Sequence, residues 1–336
     1  VTGQFNGNVL IVERGKPVYQ KSFGVGNEQS KEKMNRNSID ELTSCAKQFT
    51  AMAIVQLKEQ GKLNYDDAID AYFPELKIYH MVTVRHLLNH TSGMPDYMQL
   101  MDRVWDKSKI ATNNDVVQLL AAHHPKLLFK PNIKFEYGNT GYVLLASIIE
   151  KLSRLPYATY LEKIFFRPLK MSNTFVVNRR YAPKNFTNDA SEYVYDFSSN
   201  RFVLTDNYSP IKTVIWLDGI VGDGTVNSTV NDLLKWDNAL SNNTFISEQS
   251  KTDLYQPVTL IDETKTNYGL GLFLIDDNRF GFYVSQSGGL PGYATFIERD
   301  IRNDKTIIIL TNHDEIPKLL KAVRHILYSD KKQKRQ

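Results

Sequence analysis

Ser44-Cys45-Ala46-Lys47, followed at once by Gln48-Phe49-Thr50-Ala51-Met52-Ala53-Ile54-Val55, is the stretch whose reading decides the rest. As a helix it sets Ser44 and Lys47 three residues apart on one face, so the lysine amine can reach the serine oxygen. A serine hydroxyl attacks a carbonyl only when something takes its proton, and a lysine amine in a dry, cation-rich setting can do so. At a helix start, free backbone N–H groups and the positive dipole end favour the oxyanion that such an attack creates.

The spacing alone is weak, because Ser-x-x-Lys also occurs at Ser30/Lys33, Ser209/Lys212 and Ser329/Lys332. Context separates Ser44. The residues after it are apolar at Phe49, Met52, Ala53, Ile54, Val55 and Leu57, and the run stops at Gly61, which can take the left-handed conformation that ends a helix. A helix apolar on nearly every side is buried, and a lysine at its start needs a partner or a cavity. Lys33 and Lys332 stand instead in charged, solvated runs.

With 336 residues, 42% hydrophobic and 23% charged, the chain has the composition of an ordinary globular protein and length for one large domain or two. It has no apolar run of about 18 residues, so no transmembrane segment is expected. The net charge is +4, and its densest patch, Lys331-Lys332-Gln333-Lys334-Arg335, reads as a solvated end rather than a nucleic-acid or membrane surface. A single cysteine, Cys45, excludes an intrachain disulfide and a cysteine metal cluster. On a helix it points about 100° away from Ser44, so it reads as a small buried residue rather than a nucleophile.

Along the chain, 8–13 and 17–24 read as a hairpin and 83–90 as a short helix ended by turn residues. His86 and His90 have the spacing of a metal pair, but the glutamate of the zinc-protease pattern is Leu87 here, and both read as structural. No metal or other cofactor is expected. Residues 114–123 and 140–152 carry helical spacing, 181–217 has no clear period, and the glycine-rich 219–229 matches no phosphate-binding pattern and reads as a close-packed turn. A helix at 230–240 follows, then strands at 268–275, 280–286, 292–300 and 305–311, and an amphipathic helix at 316–328 with Pro317 in its first turn. Strands at both ends with helices between predict an α/β fold of the α+β type. One antiparallel sheet would come from 1–83 and 226–336, and a mostly helical lobe from 84–225, with the site in the cleft between.

Several segments together resemble one family, the serine β-lactamase and penicillin-binding-protein-like hydrolases, in the branch of class C β-lactamases, D-alanyl-D-alanine peptidases and related esterases. Ser44 to Lys47 looks like its nucleophile motif. Tyr137-Gly138-Asn139, the only Tyr-x-Asn in the chain, looks like its second. Leu87-Leu88-Asn89-His90-Thr91-Ser92-Gly93-Met94-Pro95 and Gly222-Asp223-Gly224-Thr225-Val226-Asn227-Ser228-Thr229 resemble further signatures, and Gln286-Ser287-Gly288-Gly289-Leu290-Pro291-Gly292-Tyr293 falls where the third motif belongs. The order is right from about residue 5 to 312.

The resemblance implies an acyl-enzyme on Ser44, with Lys47 and Tyr137 shuttling its proton and either one as the base. It implies that Asn139 holds Lys47 and substrate, that Gln286, Ser287 and Gly289 contact substrate, and that the backbone N–H groups of Ser44 and Gly289 form the oxyanion hole. It also implies an exported protein, periplasmic or at the cell surface, although the sequence shows no signal segment and leaves open whether the helix that the family often has before its first strand is missing. The departure is Gln286, where the family usually has lysine or histidine. A neutral residue there disfavours carboxylate-bearing β-lactams and peptides. The expected function is therefore a serine hydrolase of a small-molecule or peptide ester or amide, more esterase-like than an efficient β-lactamase. A D-alanyl-D-alanine carboxypeptidase or β-lactamase stays open, as does an inactive ligand-binding member, and the sequence leaves the oligomeric state undetermined.

Overall fold

Val9-Leu10-Ile11-Val12 and Ile307-Ile308-Ile309-Leu310 lack the alternation of strands with one wet face, and the computed structural model shows why. It describes residues 5–178, 186–208, 213–278 and 281–313, together with 320, 323–325 and 327. The two runs pair antiparallel, Val9 opposite Ile309 and Ile11 opposite Ile307. They lie inside a six-stranded sheet ordered Phe273–Asp277, Gly281–Leu290, Tyr293–Asp300, Lys305–Thr311, Gly7–Glu13, Lys16–Phe23, every neighbouring pair antiparallel. Leu10, Val12, Ile308 and Leu310 face the main core, while Val9, Ile11, Phe296, Ile307 and Ile309 pack against Leu320, Val323 and Leu327. Both faces are covered, so neither can be polar. The expected helix at 316–328 lies largely outside the described residues, apart from these positions. Pro17, which has no N–H to give, sits on the Lys16–Phe23 edge strand.

The helix Lys47–Glu59 runs through the main core, with every residue from Lys47 to Val55 buried and Leu57 as well. It ends where expected: Gly61 has φ +68, its N–H donates to Lys58 and that of Lys62 to Leu57, closing the last turn. Trp236, on the helix Val230–Ser241, packs on Phe49 at 4.4 Å and donates from Nε1 to Gln48 Oε1 at 2.6 Å. Gln48 in turn donates to the Cys45 carbonyl at 2.8 Å, which ties the Ser44 turn to the core.

Between the sheet-forming ends, the helices Val84–Leu88, Tyr97–Val104, Asn113–His123, Thr140–Ser153 and Tyr157–Leu161 dominate. In the irregular stretch, residues 186–208 hold a small hairpin of Tyr193–Asp196 and Arg201–Leu204, and 179–185 and 209–212 lie outside the described residues. Ser209/Lys212 and Ser329/Lys332 therefore lie outside them too, while Ser30 and Lys33 are exposed. Two strand boundaries differ from expectation. Regular pairing starts at Phe273 rather than 268, because Gly271 has φ +83 and interrupts the extended run. The next strand continues past Gln286 to Leu290, since Gly288 serves close packing against Thr43 and Leu42 rather than a turn.

Candidate active site

Ser44 stands one step before the long helix, in a separate 3-10 turn Thr43–Ala46 that leads into it, rather than on the helix itself. Thr43 has φ +48, an unfavourable conformation for a β-branched residue, and the surroundings impose it. The Leu42 N–H donates to the Val226 carbonyl and the Thr295 hydroxyl to the Leu42 carbonyl, both at 2.8 Å. The Gly281–Leu290 strand presses on the same turn: a Cβ on Gly288 would lie 1.9 Å from Thr43 Oγ1 and 2.5 Å from the Leu42 carbonyl. Only glycine fits there.

Lys47 is fully buried, and its amine is enclosed by oxygen. Nζ lies 3.0 Å from Ser44 Oγ, 3.0 Å from Asn139 Oδ1 and 2.9 Å from the Asp223 carbonyl. The last two can only accept. Asn139 is the first residue ahead of the Thr140–Ser153 helix, but its side chain makes no capping bond there and is given to Lys47 instead. Tyr137 lies with its ring centre 5.1 Å from Lys47 Nζ, and Gln286 donates from Nε2 to its hydroxyl at 3.1 Å. Gln286 is 1% exposed, and its Nε2 also lies 3.3 Å from the Ser287 carbonyl. Cys45 donates from Sγ to the Gln286 carbonyl at 3.1 Å, and burial pushes its thiol up to about 12, so at neutral pH it is no thiolate.

A cavity of about 230 Å³ opens on this network, lined among others by Ser44, Asn139, Tyr97, Asp223 and Gly289. Two larger hollows, of about 510 Å³ each, are lined by none of these residues. Ser287 is exposed on the same strand and meets the network through its carbonyl. Of the expected residues, then, Lys47 bonds both Ser44 and Asn139, Tyr137 lies with its ring beside Lys47, and Gln286 bonds the Tyr137 hydroxyl.

The sequence reading missed the part played by Asp223. Its glycine-rich segment does pack closely, against Tyr142 and Ala146, but it also brings the Asp223 carbonyl to Lys47. The Asp223 side chain accepts from the Tyr97 hydroxyl at 3.0 Å, and burial pushes its carboxyl up against the pull of Lys47. Nor does any motif announce that His90 packs on Tyr137, or that Asp96 reaches Asn139. His86 closes a capping box with Thr83, and its ring serves that turn. Among the described residues no group of three or more His, Cys, Asp or Glu side chains could hold a metal ion.

Comparison with known proteins places the chain in a family. The family model described as Beta-lactamase matches residues 3–328. The chain belongs to the Beta-lactamase family. This member of the family is 44% identical over 329 residues to "Penicillin-binding protein 4*" of Bacillus subtilis (strain 168), covering 97% of this chain and 73% of that protein. It is 27% identical over 343 residues to "Protein flp" of Staphylococcus aureus (strain COL), of which it spans 64%. Among solved structures, the penicillin-binding protein from Bacillus halodurans superposes with a TM-score of 0.81 at 22% identity, over 96% of this chain and 97% of that one, a likeness of fold. The family is of the serine β-lactamase and penicillin-binding-protein-like kind of hydrolase.

Proposed function

We propose that this protein is a serine hydrolase that cleaves an ester or amide through an acyl-enzyme on Ser44. The observation that carries the reading is the donor arrangement at Lys47. Two of its three N–H directions end on acceptor-only oxygens, of Asn139 and Asp223, and the third faces Ser44 Oγ. In the neutral amine that third direction is the lone pair, aimed at the serine proton. Ser44 Oγ would then bond to the substrate carbonyl carbon while its proton passes to Lys47, or to Tyr137 beside it. The oxyanion would rest on the Ser44 and Gly289 amides, the leaving group would take the proton and depart, and water would release the acid. The cleft walls draw on 1–83 and 226–336 at Ser44 and Gly289, and on 84–225 at Tyr97 and Asn139, in line with a site between two units.

Within that class, substrates without a carboxylate are favoured. The third-motif position holds the neutral Gln286, with its amide N–H given to Tyr137 and Ser287. Among the described residues lining the cavity are Glu41, Asp218 and Asp223, and no lysine or arginine. A substrate carboxylate would meet this field without a cation to receive it. By likeness to its penicillin-binding relatives the protein would act outside the cytoplasm, and among the described residues no helix is long and apolar enough to cross a membrane. The test is kcat/KM for p-nitrophenyl butyrate against nitrocefin. Faster ester turnover, lost in Ser44→Ala, supports the reading. Fast nitrocefin hydrolysis refutes the esterase preference, and no turnover of either substrate points to a ligand-binding member.

A further inference from the structure

His90 and Asp96 have no part in the chemistry above, yet each holds a residue that does. We propose that the segment from His90 to Asp96 is a clamp that sets Tyr137 and Asn139 in their working orientation, with His90 and Asp96 as positioning residues. The inference rests on the Ser44 reading.

The Asp96 jaw solves a problem peculiar to an amide. The two ends of the Asn139 side chain have nearly the same shape, but only Oδ1 can accept from Lys47, and a reversed amide would set Nδ2 against the ammonium. Asp96 removes the ambiguity. Its Oδ2 lies 3.3 Å from Asn139 Nδ2 and 3.4 Å from the Asn139 backbone nitrogen, so the amide N–H groups are drawn to it and Oδ1 is left facing Lys47 at 3.0 Å. The other carboxylate oxygen is spent on the Met98 N–H at 2.8 Å, as the cap of the Tyr97–Val104 helix, which fixes Asp96 itself.

The His90 jaw grips the preceding residues at three points. Its carbonyl accepts from the Glu136 N–H at 2.9 Å, its Nδ1 accepts from the Gly138 N–H at 3.3 Å, and its ring lies 4.2 Å from that of Tyr137. Burial holds this imidazole well below its ordinary range of titration, so Nδ1 keeps the lone pair that Gly138 needs. On either side of Asp96 the chain is stitched to the start of the same helix: the Tyr97 N–H donates to Thr140 Oγ1 at 2.8 Å, and that hydroxyl donates to the Pro95 carbonyl at 2.6 Å. Tyr137 and Asn139 are thus oriented from behind, by groups on a separate stretch of chain.

The test is the rate of Ser44 acylation by a fluorophosphonate probe, followed in single and paired variants. Asp96→Asn keeps a good helix cap but replaces the acceptor that orients Asn139 with a group that can also donate. It is expected to slow acylation about tenfold to a hundredfold, the scale on which small misplacements act. In an Asn139→Ala background, where there is no amide to orient, the same change should cost less than about twofold. His90→Phe, which keeps a ring but not the acceptor, and His90→Asn, which keeps an acceptor but not the ring, should each slow the parent and have little effect beside Tyr137→Phe. A merely structural role would give the same factor in both backgrounds. Equal factors, or an unchanged rate in Asp96→Asn, would overturn the clamp. Should the buried His90 variants not fold, the half-buried Asp96 decides alone. An unaltered protein that never labels would refute the Ser44 reading and the clamp with it, whereas a labelled parent with an indifferent Asp96→Asn refutes the clamp only.

Discussion

Two buried positions beside the cleft, Lys47 and Gln286, are built in opposite ways. Beside Ser44, the amine of Lys47 is sealed from solvent and surrounded by three oxygens. On the Gly281–Leu290 strand the buried residue is Gln286, a neutral amide whose Oε1 finds no hydrogen bond among the described residues. Burying an ionisable amine is more demanding than burying an amide, so the first position needs its ring of oxygens while the second is free to vary. Under the proposed mechanism the contrast separates tasks: the proton-moving group would belong to the core, and the choice of substrate to the strand.

Variants around each position can break that separation, the most damaging first. Ser44→Ala should abolish ester turnover, on the order of a millionfold in kcat, with an unchanged melting temperature. Substantial residual turnover in steady-state assays would place the nucleophile elsewhere. Gly288 and Gly289 are neighbours on the strand with opposite surroundings: a Cβ on Gly288 strikes Thr43 and Leu42, and one on Gly289 meets nothing within 4 Å. Gly288→Ala should cost about 1–3 kcal/mol in urea denaturation and Gly289→Ala less than about 0.5 kcal/mol, so equal losses would mean the strand does not press on the Ser44 turn. Gln286→His should shift preference toward nitrocefin by about tenfold, read as the ratio of the two kcat/KM values; an unmoved ratio would take specificity away from the strand.

The smallest effect concerns pH and the residue behind Tyr137. Burial lowers the titration of His90 below its ordinary value of 6.5, so between the two values the unfolded chain binds a proton that the folded chain does not. The stability this contributes is complete above 6.5 and declines as the pH falls below it. The raised Asp223 carboxyl works the other way, contributing stability at low pH that is lost as the pH rises through its folded value. His90→Asn isolates the first effect: urea unfolding at pH 7.5, 6.5 and 5.5 should fall less steeply with acid in the variant than in the parent. Parallel slopes would mean that His90 titrates normally.

How much of this was legible beforehand follows from where the information sits in the chain. The Lys47–Glu59 helix and its end at Gly61 are local matters of periodicity and glycine conformation, and they read correctly. The separation of Ser44 into its own 3-10 turn did not, because the left-handed Thr43 that produces it is imposed by Val226, Thr295 and Gly288, all more than 180 residues away in the sequence. Likewise Ser-Gly-Gly at 287–289 looks like a strand end until the turn it packs against is known. Asp223 reaches Lys47 through its backbone carbonyl, which any residue type could supply, so its side chain carried no message about that bond. Asp96 and His90 sat in or beside a segment marked as a signature, but the spacing of that segment says nothing of what its side chains would touch.

The central claim, that Ser44 is the acylated residue, is tested most directly by mass spectrometry of the protein trapped with a fluorophosphonate, with fragmentation that resolves Ser44 from its neighbour Cys45. The account predicts one adduct, on Ser44, that is absent from Ser44→Ala and strongly slowed in Lys47→Ala. An adduct on Cys45, or one that persists in Ser44→Ala, would contradict it.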